Sequence, residues 1–453
     1  MSVEALKGGP RRRATRLGAA AVPRVLPLSV SLFLLSLFIA FQISLGPLKL
    51  SASRGLLLVL LLPLTLRVLR GGAGRLLVSD VAMVAFCVWV FLGMTLRHGL
   101  AEAIEFGGIN TIETLGAYFL GRCMIRDAAS FAAMVRVMFG IVLFLTPFAL
   151  LETVTGYNLL LHLTNAILPS QPEVPPLRRL GLERVQATLD HPIHFGICIG
   201  AFVALTYRVL GDGQPAVLRC ARAGLVGGVA FLSLSSGALI AMVLQVALLV
   251  WSAITKPLRE RWMLLALVAG GLVVFELSTG YFLDLVIGTI AFNPDTAFNR
   301  VRIFGFALAN IRAAPLFGIG LGDWVNLPGM SDSIDMFWML VALRHGIPAG
   351  LLMLIGFLWL PLTLATRKIT DPRVRAYREG YVVTLAALFL ALWTVHVWRE
   401  AYVLVIFLLG SGSWMLGTGP APHNGPKRRL PVTFSRSSRL PALSGMPSPS
   451  RSA

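Results

Sequence analysis

Apolar residues run along this chain in long blocks, with short polar and basic stretches between them. A helical block of about 17 to 25 apolar residues is enough to cross the hydrocarbon core of a bilayer. Such blocks recur about twelve times, which predicts an all-α polytopic membrane protein with about 12 transmembrane helices. They fall at 27–46, 55–69, 77–96, 107–124, 129–151 and 192–210, then at 223–234, 237–253, 262–278, 346–365, 380–397 and 402–416. The seventh block is short, and only Ser235-Ser236 separates it from the eighth, which leaves open one broken helix or two. Two polar interruptions, 153–191 and 281–342, are much longer than the rest.

Composition sets the class apart from soluble domains. The chain is 56% hydrophobic and 13% charged, where a soluble domain is about half apolar and about a quarter charged. Basic residues then orient the spans, because short cytoplasmic loops carry the excess of Lys and Arg. With the N-terminus inside, inner loops receive Arg67, Arg70 and Arg75, then Arg122 and Arg126, then Arg208, Arg219 and Arg222. The later inner loops add Lys256, Arg259 and Arg261, then Arg367, Lys368, Arg373, Arg375 and Arg378. The short outer loops hold only Lys49, Arg54, Arg97 and Arg399. Both termini are therefore expected in the cytoplasm, with the loops 153–191 and 281–342 facing outward.

The net charge of +19 reads as this topology signal plus attraction to anionic lipid, and not as nucleic-acid binding. Residues 1–23, with Arg11-Arg12-Arg13, and the Pro-, Ser- and Arg-rich 418–453 read as disordered basic cytoplasmic tails flanking a transmembrane domain at 24–417. No Ala-x-Ala pattern follows the first long apolar block, so it reads as a span and not a cleaved leader. The four cysteines offer no pair within an outer loop, and no structural disulfide is expected.

Chemistry concentrates in the long loops. The first closes with Arg184-Val-Gln-Ala-Thr-Leu-Asp190-His191-Pro192-Ile-His194-Phe-Gly196. It places a cation, a carboxylate and two imidazoles at the lip of a span. Pro192 suits the first turn of a helix and Asp190 suits its cap, which would aim free N–H groups at the outer interface. The plainer reading is a capping Asp190 with His191 and His194 as interfacial polar residues. In the second loop, Arg300, Arg302 and Arg312 accompany Phe304, Phe306, Leu308 and Ile311, a pattern that suits a surface-lying amphipathic helix. An arginine fork binds phosphate bidentately, and snorkelling to headgroups is its bland alternative.

Pro315-Leu-Phe-Gly-Ile-Gly-Leu-Gly322 has too little βαβ context for a nucleotide fingerprint and reads as a tight turn returning the chain to the membrane. Asp335 precedes Met336-Phe-Trp-Met-Leu and is either a helix cap or a functional acid or base. Ser233-Leu-Ser-Ser-Gly-Ala238 reads as small residues for close helix packing. Glu152, Glu276, His396 and Arg399-Glu400 are weaker polar candidates, and Glu113 is the main ionisable residue inside a span. No His-Glu-x-x-His or Cys-x-x-Cys is present, so no catalytic metal is expected.

These features, in this order, resemble the O-antigen ligase and polysaccharide polymerase family of bacterial inner membranes. The likeness rests on Arg184 to Gly196, on Ser-Leu-Ser-Ser-Gly-Ala at Ser233, on Arg300 ahead of Pro315–Gly322, and on Asp335 with Arg344-His-Gly-Ile-Pro-Ala-Gly350. Two departures stand out. Ser236 stands where many members have arginine, and Asp335 where many have histidine, which brings the chain nearer an exopolysaccharide-type polymerase than a lipopolysaccharide ligase.

The resemblance implies transfer of a glycan from a polyprenyl diphosphate to a glycan or lipid acceptor at the periplasmic face, alongside polysaccharide-assembly proteins. It needs no cofactor, because the lipid diphosphate is already an activated donor. Arg184, Arg300 and Arg302 would then bind the diphosphate, and Asp335, with His191 as alternative, would act on the acceptor hydroxyl. The competing class is a transporter or flippase of lipid-linked sugars. The clustering of charge at one face, without an inverted pair of broken helices, favours the enzyme.

Overall fold

A computed structural model of the chain describes residues 26–45, 48–168, 173–175, 177–258, 260–279, 294–326 and 334–418. The chain divides into two units, Met1–Gly419 and Pro420–Ala453, and all the described residues belong to the first. Of the tails expected at 1–23 and 418–453 only Thr418, which ends a helical turn, is described; the rest of both, and the parts of the second loop at 280–293 and 327–333, lie outside the described residues.

Helices dominate, and each apolar block carries one. In chain order they are α1 (Leu28–Ser36), α2 (Ala52–Leu69), α3 (Val78–His98), α4 (residues 100–124), α5 (Ala128–Thr155), α6 (Leu159–Ile167) and α7 (Pro192–Leu210). The remainder are α8 (Ala216–Phe231), α9 (Ser236–Ile254), α10 (Arg261–Thr279), α11 (Pro294–Ala313), α12 (Phe337–Thr366), α13 (Pro372–Ala391) and α14 (Arg399–Gly417). Seven of them, α2, α3, α5, α7, α9, α12 and α14, are long and apolar enough to cross a membrane. The protein is thus a mostly helical, membrane-embedded chain, as expected where lipid forces backbone groups to bond internally.

Two expectations change in detail, and one left open is resolved. The first block does not make one spanning helix: α1 has 9 residues, and at 1.5 Å per residue it is about half the thickness of a bilayer core. The rest of that block turns into an antiparallel hairpin, β1 (Gln42–Leu45) against β2 (Leu48–Ser51), paired from Gln42↔Ser51 to Leu45↔Leu48. Gly46-Pro47 lies between the strands, and proline has no N–H to continue a helix. Ser51 then caps α2, accepting from the Arg54 N–H at 3.3 Å. The seventh and eighth blocks are two helices, joined by a turn through Leu234 at φ 45°. The eleventh stops at Ala391, and the run on to Trp398 is not helical.

The core forms around α14, whose residues from Glu400 to Ser411 are all buried. Gly121 on α4 and Gly410 on α14 face each other so closely that a Cβ on either would strike the other helix's backbone, the small-residue contact that brings helices together in lipid. Helix α4 contains two π-helical turns, Ala103–Gly107 and Ile112–Gly116. Glu113, in the second, pairs with Arg54 from the start of α2 at 2.6 Å, both largely buried. At the other end of the bundle Asp80 is held by Tyr118 at 2.7 Å and by Arg122 at 3.3 Å.

Candidate active site

The end of the first long loop is fixed by a row of carbonyls. Arg178–Arg179 and Leu182–Glu183 form a two-residue hairpin whose turn residues, Leu180 and Gly181, both have positive φ, the backbone that such a turn demands. Beyond it the loop lies on the α8–α9 turn. The Val185 N–H donates to Leu232 O at 3.0 Å, Arg184 Nε to Ser233 O at 3.1 Å, and Arg179 Nη1 to Leu234 O at 2.8 Å. Three successive carbonyls, Leu232 and then Ser233 and Leu234 of the Ser-Leu-Ser-Ser motif, thus anchor two arginines and the Val185 backbone beside them. That motif is therefore more than helix packing.

From the other side the C-terminal end of α5 holds the same loop. Glu152 accepts from the N–H of Gln186 at 2.8 Å and of Ala187 at 3.0 Å, and Asn158 Nδ2 donates to Ala187 O at 2.7 Å. Ala187 itself has φ 51°, a conformation that a carboxylate and an amide on both sides can maintain. Glu152 is a loop anchor.

Pro192 opens α7 as its composition suggests, but the cap is His191 and not Asp190. His191 Nδ1 accepts from the Ile193 N–H at 3.1 Å. That bond leaves the ring proton on Nε2, so the imidazole offers a donor on its other side. Burial, then the neighbouring Arg184, lower the His191 pKa to about 4, which keeps the ring neutral at physiological pH. Asp190 instead accepts from Trp398 Nε1 at 2.5 Å, lies 2.6 Å from His194 Nδ1 and has Arg399 at 3.8 Å. Burial alone would raise its carboxyl, but His194, Arg399 and Trp398 outweigh it and hold the pKa below the ordinary value. Asp190 is a strut between α7 and α14.

The glycine-rich segment does return the chain to the bundle, and it does so against a kink. Gly346 breaks α12 at φ 87°, and a Cβ there would meet the Leu316 carbonyl. The freed backbone groups are satisfied by the segment: Ile347 N–H donates to Pro315 O at 2.8 Å, while Leu343 O and Arg344 O accept from Ile319 and Gly320, each at 2.9 Å. His98 Nε2, at the end of α3, accepts from the Leu321 N–H at 2.9 Å. Trp89 stacks on Phe317 with centroids 5.1 Å apart.

These elements enclose a cavity of about 450 Å³. Arg184, His191 and Asp335, three of the five residues singled out from the sequence, line it together. The N-cap position of α12 falls to Met336, with Asp335 one residue before it. Of the other two, Arg302 is exposed on α11 and does not line the cavity. Arg300 falls within α11, but its side chain lies outside the described residues. Helix α11 buries Ile303, Ala307 and Ile311 against Met336, Met339 and Leu343, one face at helical spacing.

The cavity also contains residues not assigned a role from sequence. Arg179, Arg344, His396 and Trp398 line it. The Arg344 guanidinium makes no hydrogen bond or ion pair with any described residue. Its signal was its place two residues before the helix-breaking Gly346. Arg184 has one nitrogen fixed and a buried Nη2 without a partner. Burial first, and Arg179 second, lower its pKa to about 10, so it remains a cation at neutral pH. Among the described residues no group of three or more His, Cys, Asp or Glu side chains could hold a metal ion.

Fold and site together define a membrane-embedded helical protein with an arginine-rich cavity built from loop and helix-end residues. Comparison with protein-family models and with curated proteins finds no match for the chain.

Proposed function

We propose that this chain is a metal-independent membrane glycosyltransferase that polymerises or ligates polyprenyl-diphosphate-linked oligosaccharide repeat units at the periplasmic face of a bacterial inner membrane. In this reading it crosses the membrane about twelve times with both termini cytoplasmic. The observation that carries it is the meeting, in one cavity, of Arg179, Arg184 and Arg344 with a donor imidazole, His191, and a carboxylate, Asp335. A diphosphate leaving group develops negative charge as its bond to the sugar breaks, and fixed guanidiniums at that place stabilise it.

The acceptor hydroxyl oxygen bonds to the anomeric carbon, the carbon–oxygen bond to diphosphate breaks, and the lipid diphosphate leaves with its electron pair. The hydroxyl proton passes to Asp335. His191, with Nδ1 occupied by the helix cap, donates to the diphosphate from Nε2. Arg300 joins the phosphate ligands on the strength of the sequence alone.

The test is the size distribution of lipid-linked glycans in cells lacking the chain, with Arg184→Ala and Arg300→Ala examined for rescue. Single repeat units accumulating on lipid, rescued by wild type and not by Arg184→Ala, support a polymerase. Full-length polymer retained on lipid identifies a ligase. Intermediates trapped on the inner leaflet would overturn the reading in favour of a carrier.

A further inference from the structure

A second, smaller cavity of about 170 Å³ shares Leu340, Arg344, His396 and Trp398 with the first. It adds Asn110, Glu113, His345, Arg399 and Tyr402. Its polar residues come from an unusual piece of helix. Glu113 lies in the second π-helical turn of α4 and Asn110 lies between the two turns, three residues earlier on the same face. π turns interrupt helices most often at functional sites.

The hydrogen bonding of these two residues is incomplete. Glu113 Oε1 takes both Arg54 bonds, Nε at 3.1 Å and Nη2 at 2.6 Å, and Oε2 has no hydrogen-bond partner among the described residues. Asn110 Nδ2 is buried without a partner. Glu113 is 8% exposed, so a vacant oxygen there is costly unless a ligand or water meets it. Arg399, at φ 49°, occupies a backbone region that a non-glycine residue adopts only when its surroundings hold it, here through Gln42, Asp190 and Glu400.

The lining discriminates between ligand classes. An apolar tail would strand the amide and the carboxylate. A bare anion would meet Glu113, and a metal cation would meet Arg344 and Arg399. A polyhydroxylated ring satisfies all of them: its hydroxyls bond to Glu113 Oε2 and Asn110 Nδ2 while its C–H face lies on the Trp398 or Tyr402 ring. The cavity is sized for one pyranose and not for an oligosaccharide.

We infer that this second cavity is the acceptor subsite, holding the terminal sugar of the acceptor glycan through Asn110 and Glu113 while the diphosphate of the donor occupies the first cavity. The inference rests on the glycosyltransferase reading above. Asn110 and Glu113 are substrate-binding residues here, and the proton transfer stays with the first cavity.

The test uses the full chain in lipid nanodiscs, with the lipid-diphosphate-linked repeat unit as donor and the same repeat unit released from lipid as acceptor. Asn110→Ala leaves the Arg54–Glu113 pair in place, and it is expected to raise the KM for the released acceptor about tenfold, the effect of one lost hydrogen bond. Its KM for the donor and its melting temperature stay unchanged. Asn110→Leu, which fills the space, raises the acceptor KM further, and Glu113→Gln raises it where the protein folds. If wild type transfers sugar but both Asn110 variants keep the acceptor KM within about twofold, or raise only the donor KM, the inference falls and the glycosyltransferase reading stands. If wild type transfers no sugar from the lipid diphosphate to any acceptor, both fall.

Discussion

The two ends of the helical bundle both carry arginines, but they use them differently. At the end built from the α2–α3, α4–α5 and α12–α13 connections, Arg122, Arg126 and Arg378 are held by backbone carbonyls, while Arg208 and Arg219 each keep a buried Nε without a partner. Arg122 donates to Ala73 O at 2.6 Å and Arg75 O at 2.8 Å, Arg126 also donates to Ala73 O, and Arg378 donates to Arg367 O at 2.5 Å. Arg208 is paired with Glu379 at 2.5 Å. At the cavity end the Arg184 side chain has a single carbonyl bond, and the Arg344 guanidinium has no partner among the described residues. A guanidinium whose donors are all matched acts as a structural clamp, and one that brings unmatched donors into a cavity has hydrogen bonds left to give. Sequence position alone does not separate the two uses.

Four measurements would break or sharpen that contrast. The largest effect is expected from Arg122→Ala, which leaves the 2%-exposed Asp80 without its cation. Breaking a buried pair costs about 3–5 kcal/mol, so the variant should melt far below wild type, while whatever folds keeps its transfer activity. Arg184→Ala should do the reverse, losing about a hundredfold or more in kcat with only a small change in melting temperature. A large drop in Arg184→Ala stability with activity retained would erase the distinction. Gly346→Ala comes next. It forces a side chain into φ 87° and against the Leu316 carbonyl, a strain of about 1–3 kcal/mol that also displaces Arg344. Melting and activity should fall together.

The smallest effect is a pH dependence. Because the His191 pKa is lowered in the folded protein to about 4, the unfolded chain binds the extra proton first. Its contribution to stability is complete above the unfolded value of about 6.5 and is lost as pH falls towards 4. His191→Asn keeps a capping side chain but removes the titration. Its melting temperature should vary less than that of wild type between pH 6.5 and 4, and equal slopes would remove His191 from the account.

The helices were legible because lipid-facing and core-facing positions alike demand apolar residues, so length alone marks them. The first block misled for the same reason: Ile43 and Leu45, like Leu48 and Leu50 beyond the block, suit strands as well as a helix. Within the site, His191 and Arg184 stood out because they flank a helix start with a proline at its first turn. Which of Asp190 and His191 would cap was not legible, since that depends on Trp398 and His194 competing for the carboxylate. The partnership of Arg54 with Glu113 spans 59 positions, and nothing local announces it. Arg344 was visible only as part of a motif, because its importance lies in what it does not touch.

The loop that braces the α12 kink also has a consequence for exchange with solvent. The amide protons of Ile319, Gly320 and Ile347 are each held by a carbonyl of the opposing segment. None of these bonds opens without loosening the others, so the three amides should exchange with deuterium at one common rate. They would report a single local opening that uncovers the cavity wall without unfolding the helices on either side.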